Sequence, residues 1–140
     1  LISYFKENHF HYCIVDAKIE DELKDFEGNE KNEMRKELGA HDSGVDGLIK
    51  AGYELLGLET FLTTGEDETR AWTIKKGSTA PLAGQAIHTD FKDKFIRAEV
   101  ISSEDLISEG SYANARPKGM VRTEGKDYIV KDGDVIEFKI

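Results

Sequence analysis

One cysteine, two prolines and one tryptophan in 140 residues set the first limits. A single thiol, Cys13, cannot build a disulfide framework, and a chain without one fits a reducing cytoplasm. No apolar stretch approaches the roughly 20 residues that a membrane-spanning helix needs, so no membrane role is expected. No Gly-rich stretch leads into Lys-Ser or Lys-Thr, so the backbone cradle that grips a triphosphate is missing. A residue set for magnesium in phosphoryl transfer is missing too. Those parts supply the electrostatic stabilisation of phosphoryl transfer itself, so the chain is expected to bind rather than to catalyse by itself. Positive charge is also scarce: 19 Lys and Arg stand against 28 Asp and Glu, a net charge of -9. Non-specific duplex binding, which needs a broad cationic footprint, is therefore disfavoured.

The charge that is there is uneven. Residues 1–56 hold 7 basic and 13 acidic side chains, whereas residues 57–140 hold 12 and 15. The back is nearly balanced and has room for a local basic patch. With 39% hydrophobic residues the composition is globular, enough for one domain and a helical appendage. The chain opens on Leu1 in mid-pattern, as a piece of something longer does.

Hydrophobic periodicity divides the chain at the same place. Phe10 to Val15 (F-H-Y-C-I-V) is aromatic and β-branched and reads as a strand. Glu20 to Phe26 reads as a short helix. Asn29 is placed to cap a second helix over Glu30 to Leu38, which Gly39 closes. Ser43 with Asp46 three residues on resembles a capping box. Val45, Leu48, Ile49, Gly52, Tyr53 and Leu56 then keep helical spacing up to Gly57. Beyond Gly57 the period drops to 2. Glu59 to Thr64, a turn at Thr64-Gly65-Glu66-Asp67 and Glu68 to Lys75 read as a hairpin. Pro81 suits the first turn of a helix running to His88. Phe95 to Ser102 is a strand, and Ser102 or Ser103 can cap a short helix through Ile107. Gly110 to Lys118 reads as loop, Met120 to Thr123 with Asp127 to Lys131 as a second hairpin, and Val135 to Ile140 as a closing strand. Five or more strands with one substantial helix predict an α+β, two-layer, β-grasp-like design.

Several residues invite functional readings. His88-Thr89-Asp90 ends the expected helix, where the dipole favours an imidazolium and Asp90 can fix its tautomer; a recognition corner competes there with an ordinary structural turn. Lys75, Lys76, Lys92, Lys94 and Arg97 flank that helix, and with Trp72 they would make a basic face with an aromatic platform suited to RNA. Glu66, Asp67, Asp90 and Asp93 dilute the charge, and Trp72 between Ala71 and Ile74 also suits a core position. Arg116, Lys118 and Arg122 form a weaker cluster of the kind that usually marks a solvated face. His9, His11 and Cys13 would share one face of a strand, but no fourth zinc ligand accompanies them, and sheet packing is the plainer reading.

One stretch has a family look. Gly77-Ser78-Thr79-Ala80-Pro81-Leu82-Ala83-Gly84-Gln85-Ala86-Ile87-His88-Thr89-Asp90-Phe91 resembles the fingerprint of TGS domains, ubiquitin-like β-grasp modules. Arg70 to Gly77, Phe95 to Val100 and Gly125 to Asp134 together resemble the C-terminal part of the YchF, or Obg-like, ATPases. Ala51 to Leu58 is similar to that family's entry into the module. The resemblance implies a ubiquitin-like TGS domain at 57–140, preceded at 1–56 by a mainly helical segment with one strand from the end of the P-loop nucleotide-binding domain. Ala17 and Lys18 match the end of the family's last base-recognition motif, while Asp16 stands where Ser is usual. The resemblance further implies a parent that binds ATP or GTP with magnesium and associates with ribosomes. The module would then dock on a ribosomal or RNA partner through Lys75, Lys76, His88, Thr89, Asp90 and Arg97, with the upstream nucleotide-binding domain as a partner in the same chain. Two rivals are a ubiquitin-like protein-interaction module and a small-ligand sensor using His88, Arg97 and the Lys75-Lys76 pair. Conjugation is not expected, because the chain ends Glu137-Phe138-Lys139-Ile140 rather than Gly-Gly. A strand at Phe10 to Val15 severed from its sheet is expected to be disordered, to self-associate or to pair with an exposed strand edge.

Overall fold

Gly57, at a φ of +60°, stands where helix gives way to strand. The computed structural model describes residues 1–40, 44–65 and 68–140 and falls into two compact units, Leu1–Leu56 and Gly57–Ile140.

The first unit holds α1 (Ile2–Glu7), α2 (Ala17–Glu22), α3 (Gly28–Glu37) and α4 (Gly44–Leu56). Asp16 caps α2, its carboxylate accepting from the backbone N–H of Lys18 (3.0 Å) and Ile19 (3.1 Å), which satisfies two of the donors a helix start leaves open. Arg35 of α3 pairs with Glu20 of α2, and the Glu20 carboxylate also accepts from the N–H of Val45 at the head of α4. One carboxylate thus ties three helices. The Arg35 guanidinium holds the Glu20 carboxyl below its ordinary range.

The expected strand at Phe10 to Val15 is not formed: this stretch has no ladder partner among the described residues. An alternating aromatic run becomes a strand only where an edge accepts it. Instead His9, at a φ of +54°, turns the chain, the Phe10 N–H donates to the Phe5 carbonyl at 2.9 Å, and the Phe10 and Tyr12 rings gather on Tyr4 and Phe5, with centroids 5.7–6.3 Å apart. The helix expected over Glu20 to Phe26 is α2, which starts at Ala17 and ends at Glu22, and Glu27 rather than Asn29 occupies the N-cap of α3. Ser43 of the expected capping box lies outside the described residues, as do Glu66 and Asp67 of the expected turn.

The second unit holds β1 (Leu58–Thr64), β2 (Thr69–Lys75), α5 (Ala80–Gln85), α6 (Thr89–Asp93), β3 (Arg97–Ser102), α7 (Ser103–Glu109), α8 (Tyr112–Ala115), β4 (Arg122–Glu124) and β5 (Asp134–Lys139). The five strands form one mixed sheet in the order β2-β1-β5-β3-β4. β1 and β5 run parallel at its centre and every other pair is antiparallel. Alternation sorts the side chains to the two faces. Phe61, Ile74, Ala98, Val100 and Ile136 pack under Ala80 and Ala83 of α5, with Phe95 and Val130. Ile101 and Val135 face the other way and pack with Ala115, Leu106, Tyr112 and Met120.

Small residues let α5 lie close. A Cβ on Gly84 would stand 2.9 Å from the Phe91 Cβ and 3.2 Å from the Phe138 ring. The helix expected from Pro81 to His88 is shorter: α5 ends at Gln85, and His88 opens α6 in extended conformation. The second hairpin also differs from expectation. Arg122–Glu124 pairs with β3, not with the stretch after it. The only ladder contact of 127–131 among the described residues is one bridge, Thr79 to Ile129. Gly110 to Lys118, read as loop, contains α8 and a 3-10 turn. Ser102 caps α7, its Oγ accepting from the Asp105 N–H at 3.1 Å.

Candidate functional site

Register decides which of the candidate cations can act together. Lys75 faces Leu58 in the β1–β2 ladder, Arg97 faces Lys139 in the β3–β5 ladder, and Leu62 faces Val135 where β1 and β5 run parallel. Lys75 therefore stands four residues before that common level and Arg97 four residues past it. At a rise of about 3.3 Å per residue, the two lie about 26 Å apart along the strands. The candidate set is split between opposite ends of the sheet.

The Arg97 end includes the His88 corner. Phe91 of α6 packs its ring on Phe138, at 5.7 Å between centroids, near the end of β5, and the Ile96 N–H donates to the Lys139 carbonyl at 2.9 Å. His88 is the N-cap of α6, and its Nδ1 accepts from the Asp90 N–H at 3.2 Å. His88 therefore stands at a helix start and not at the helix end that the sequence suggests. Accepting at Nδ1 places the ring proton of a neutral imidazole on Nε2, and the side chain is exposed. The backbone of Asp90, rather than its carboxylate, makes this bond. That carboxylate takes Lys94 at 2.9 Å, which holds it below its ordinary range. Thr89 is exposed beside it. An exposed Nε2–H donor, a hydroxyl and Arg97 can meet phosphate or carbonyl acceptors.

At the other end, the Lys76 ammonium lies 3.7 Å from Glu59. The Lys75 carbonyl accepts from the N–H and Oγ of Ser78. Trp72 is half-buried against the core, donates from Nε1 to Thr63 Oγ1 at 2.9 Å and carries the Arg70 guanidinium 4.4 Å over its ring. It is no open stacking platform. The weaker basic cluster is neutralised residue by residue: Arg116 binds Glu99 at 2.6 Å, Lys118 binds Glu109 at 2.6 Å, and Arg122 lies 3.7 Å from both Glu124 and Asp134.

Arg122 belongs to an arrangement that residue-by-residue reading overlooks. Asp134 is buried, accepts from the Tyr128 hydroxyl at 2.7 Å and from the Lys131 N–H at 2.9 Å, and faces Arg122. Arg122 in turn donates to the Tyr128 oxygen at 3.1 Å. Burial, together with Asp134, pushes the Tyr128 phenol up to about 12. The three groups pin the 125–134 loop to the sheet. The signal in the sequence was the Asp132-Gly133-Asp134 turn, whose second Asp opens a strand where a buried carboxylate must find donors.

In the first unit, Ala17 and Lys18 begin α2, and Lys18 is exposed, 3.8 Å from Glu22. The Lys18 N–H donates to the Asp16 carboxylate. No group of three or more His, Cys, Asp and Glu placed to hold a metal occurs among the described residues.

Known proteins match this arrangement. The family model YchF-GTPase_C, described as "Protein of unknown function (DUF933)", matches residues 58–140. The chain belongs to the YchF family. The Ribosome-binding ATPase YchF of Bacillus subtilis (strain 168) is 54% identical over 126 residues, which are 90% of this chain and 34% of that protein. The YchF protein of the same name from Escherichia coli O157:H7 is 48% identical over 124 residues, 89% of this chain and 34% of its own length. Obg-like ATPase 1 of Gallus gallus is 47% identical over 121 residues, 86% of this chain and 30% of that protein. The solved Schizosaccharomyces pombe YchF GTPase superposes with a TM-score of 0.75 at 35% identity, covering 89% of this chain and 33% of its own. The chain thus spans about a third of the length of the YchF relatives it matches. No helix among the described residues is long and apolar enough to cross a membrane.

Proposed function

We propose that this chain is the docking part of a cytoplasmic YchF-type nucleotide hydrolase. In this reading residues 57–140 are a TGS domain of the ubiquitin-like β-grasp kind, and residues 1–56 are the closing elements of the nucleotide-binding domain that precedes it. The strand order β2-β1-β5-β3-β4, with α5 across one face, supports the β-grasp assignment. ATP or GTP with magnesium would be held by residues beyond those described here, and the module would couple nucleotide state to a ribosomal partner. The ribosome enters from the names of relatives 54% and 48% identical to this chain.

The observation that carries the docking reading is the separation of the two candidate ends. A ligand the size of one nucleotide cannot span about 26 Å, whereas a ribosomal surface of RNA and protein can meet both. This favours an extended partner over the small-ligand sensor. His88, Thr89, Asp90 and Arg97 would make one set of contacts, and Lys75 and Lys76 the other. The test is co-sedimentation of the chain with ribosomes at rising salt. Pelleting at low salt that fades as salt rises, and that weakens in His88→Ala/Arg97→Ala and in Lys75→Glu/Lys76→Glu, is expected. A chain that stays in the supernatant at low salt, the most permissive condition, ends the proposal.

A further inference from the structure

Where β3 ends and β5 begins, the second unit carries a cavity of about 420 Å³. Ser102 and Asp134 are cross-strand partners at that level, so the start of α7 and the 131–134 turn both line it, together with Met120 and Arg122. The buried Asp134 carboxylate presents no open charge there, because Arg122 faces it and the Tyr128 hydroxyl and Lys131 N–H donate to it. Three other charged groups in the lining have no ion pair among the described residues: the carboxylates of Asp105 and Asp132 and the ammonium of Lys131. Each carboxylate is fixed through one oxygen. Asp105 Oδ2 accepts from the Ser102 hydroxyl at 2.7 Å, and Asp132 Oδ1 accepts from the Thr60 N–H at 2.8 Å. The second oxygen of each has no bond among the described residues. Small-molecule pockets of this size are usually apolar with a few convergent polar groups; a lining so charged selects a charged ligand.

We propose that this cavity binds a free basic amino acid, arginine or lysine. Its open charges are two negative and one positive, and such an amino acid carries the complement, two positive and one negative. The ligand carboxylate would meet Lys131. Its α-ammonium and side-chain cation would meet the outer oxygens of Asp105 and Asp132, and its methylene stem would lie on Met120. A polyamine would satisfy the carboxylates but set its charge against Lys131, and a neutral amino acid would leave one carboxylate without a cation. Carboxylates already held in place reduce the ordering cost of binding. None of the residues assigned to docking lines this cavity, so the inference goes beyond the ribosome reading and stands or falls separately from it.

The test titrates the ¹⁵N-labelled chain with arginine at fixed pH and ionic strength, followed by amide chemical shifts. Saturable shifts confined to residues 102–105, 119–122 and 131–134 are expected. Citrulline, which lacks the side-chain charge, and agmatine, which lacks the carboxylate, should each bind at least about tenfold more weakly. Asp132→Asn keeps an oxygen for the Thr60 N–H while removing the charge, and should weaken arginine by a similar factor. Asp105→Asn should do the same and carries the test if the first variant disturbs the β1–β5 pairing. Lys131→Met should bring arginine and agmatine to equal affinity. Lack of saturation, shifts centred on His88 to Arg97, or undiminished binding by both Asn variants overturns the proposal. So does citrulline or agmatine binding the unaltered chain as tightly as arginine. Equal binding of N-acetylarginine would assign the cavity to the C-terminal residue of a protein, and displacement of arginine by magnesium with the same shifts would make it a cation site; either result overturns the proposal as well.

Discussion

The two units spend their apolar residues differently. In residues 57–140 the large side chains Phe61, Val100, Ile101, Val130 and Ile136 are buried within two clusters, one on each face of the sheet. In residues 1–56 only Leu23 and Ala40 are buried among the described apolar residues, while Tyr4, Phe10, Ile14, Leu48, Ile49, Leu55 and Leu56 are exposed. A unit that buries its own hydrophobic surface carries its own stability, whereas one that exposes it depends on specific polar ties. The Glu20–Arg35–Val45 junction is the clearest of those ties. The comparison teaches that similar composition makes a core only where the pattern closes a sheet.

The largest effect should come from the second unit's centre. Phe61→Ala is expected to cost about 3–5 kcal/mol, read by denaturant unfolding. Trp72, the chain's one tryptophan, lies against that core and gives a fluorescence signal specific to this unit. Leu48→Ala, at a position 52% exposed, should cost less than about 1 kcal/mol and leave the tryptophan transition unmoved. Equal losses from the two would break the contrast between the units. Gly84→Ala comes next, at about 1–3 kcal/mol, because the new methyl meets Phe91 and Phe138 and must push α5 off the sheet. The same tryptophan signal measures it.

Titration gives the smaller effects. The Tyr128 phenol is raised from its ordinary value of 10.0 to about 12, so the folded state holds its proton more tightly than the unfolded chain. The resulting stability is complete below pH 10 and is lost as pH rises from there toward 12. Tyr128→Phe should remove this loss, which thermal unfolding at stepped pH would reveal. In the first unit the sign is reversed. Glu20 is lowered from 4.5, so its contribution is complete above that pH and disappears as pH falls through the lowered value. Helix content of the first unit followed by circular dichroism should fall in that acid window, and Glu20→Gln should abolish the dependence. An unchanged acid profile in that variant would show that the junction does not hold the helices together.

Much of the second unit was legible because short-range rules agreed with one another. The hairpin, the Pro81 helix start, the Ser102 cap and the closing strand each follow from local chemistry, and all four are found. Readings that depended on distant partners went astray. Phe10 to Val15 has strand-forming residues, but nothing in the sequence says whether an edge awaits them. The helix through His88 continued the apolar pattern, yet His88 turns extended and accepts from the Asp90 N–H as the cap of the next helix. Candidate cations were readable as residues and unreadable as a set. Their spacing in sequence hides a separation that only the β1–β5 pairing reveals. Asp134 was visible as turn chemistry but not as the acceptor for Tyr128, since that bond depends on how the 125–134 loop folds back.

The parallel pairing of β1 with β5 has a consequence for biosynthesis. The strand at 58–64 cannot complete its pairing until 134–139 exists. A ribosome adding 5–20 residues per second needs roughly 4–15 s to make the stretch between them. Throughout that interval the β1 side of the nascent hairpin has no strand to pair with, and the apolar cluster around Phe61 lacks Ile136. A translational pause in this stretch would lengthen that exposure, and any factor that shelters nascent chains would meet the module in its half-built form.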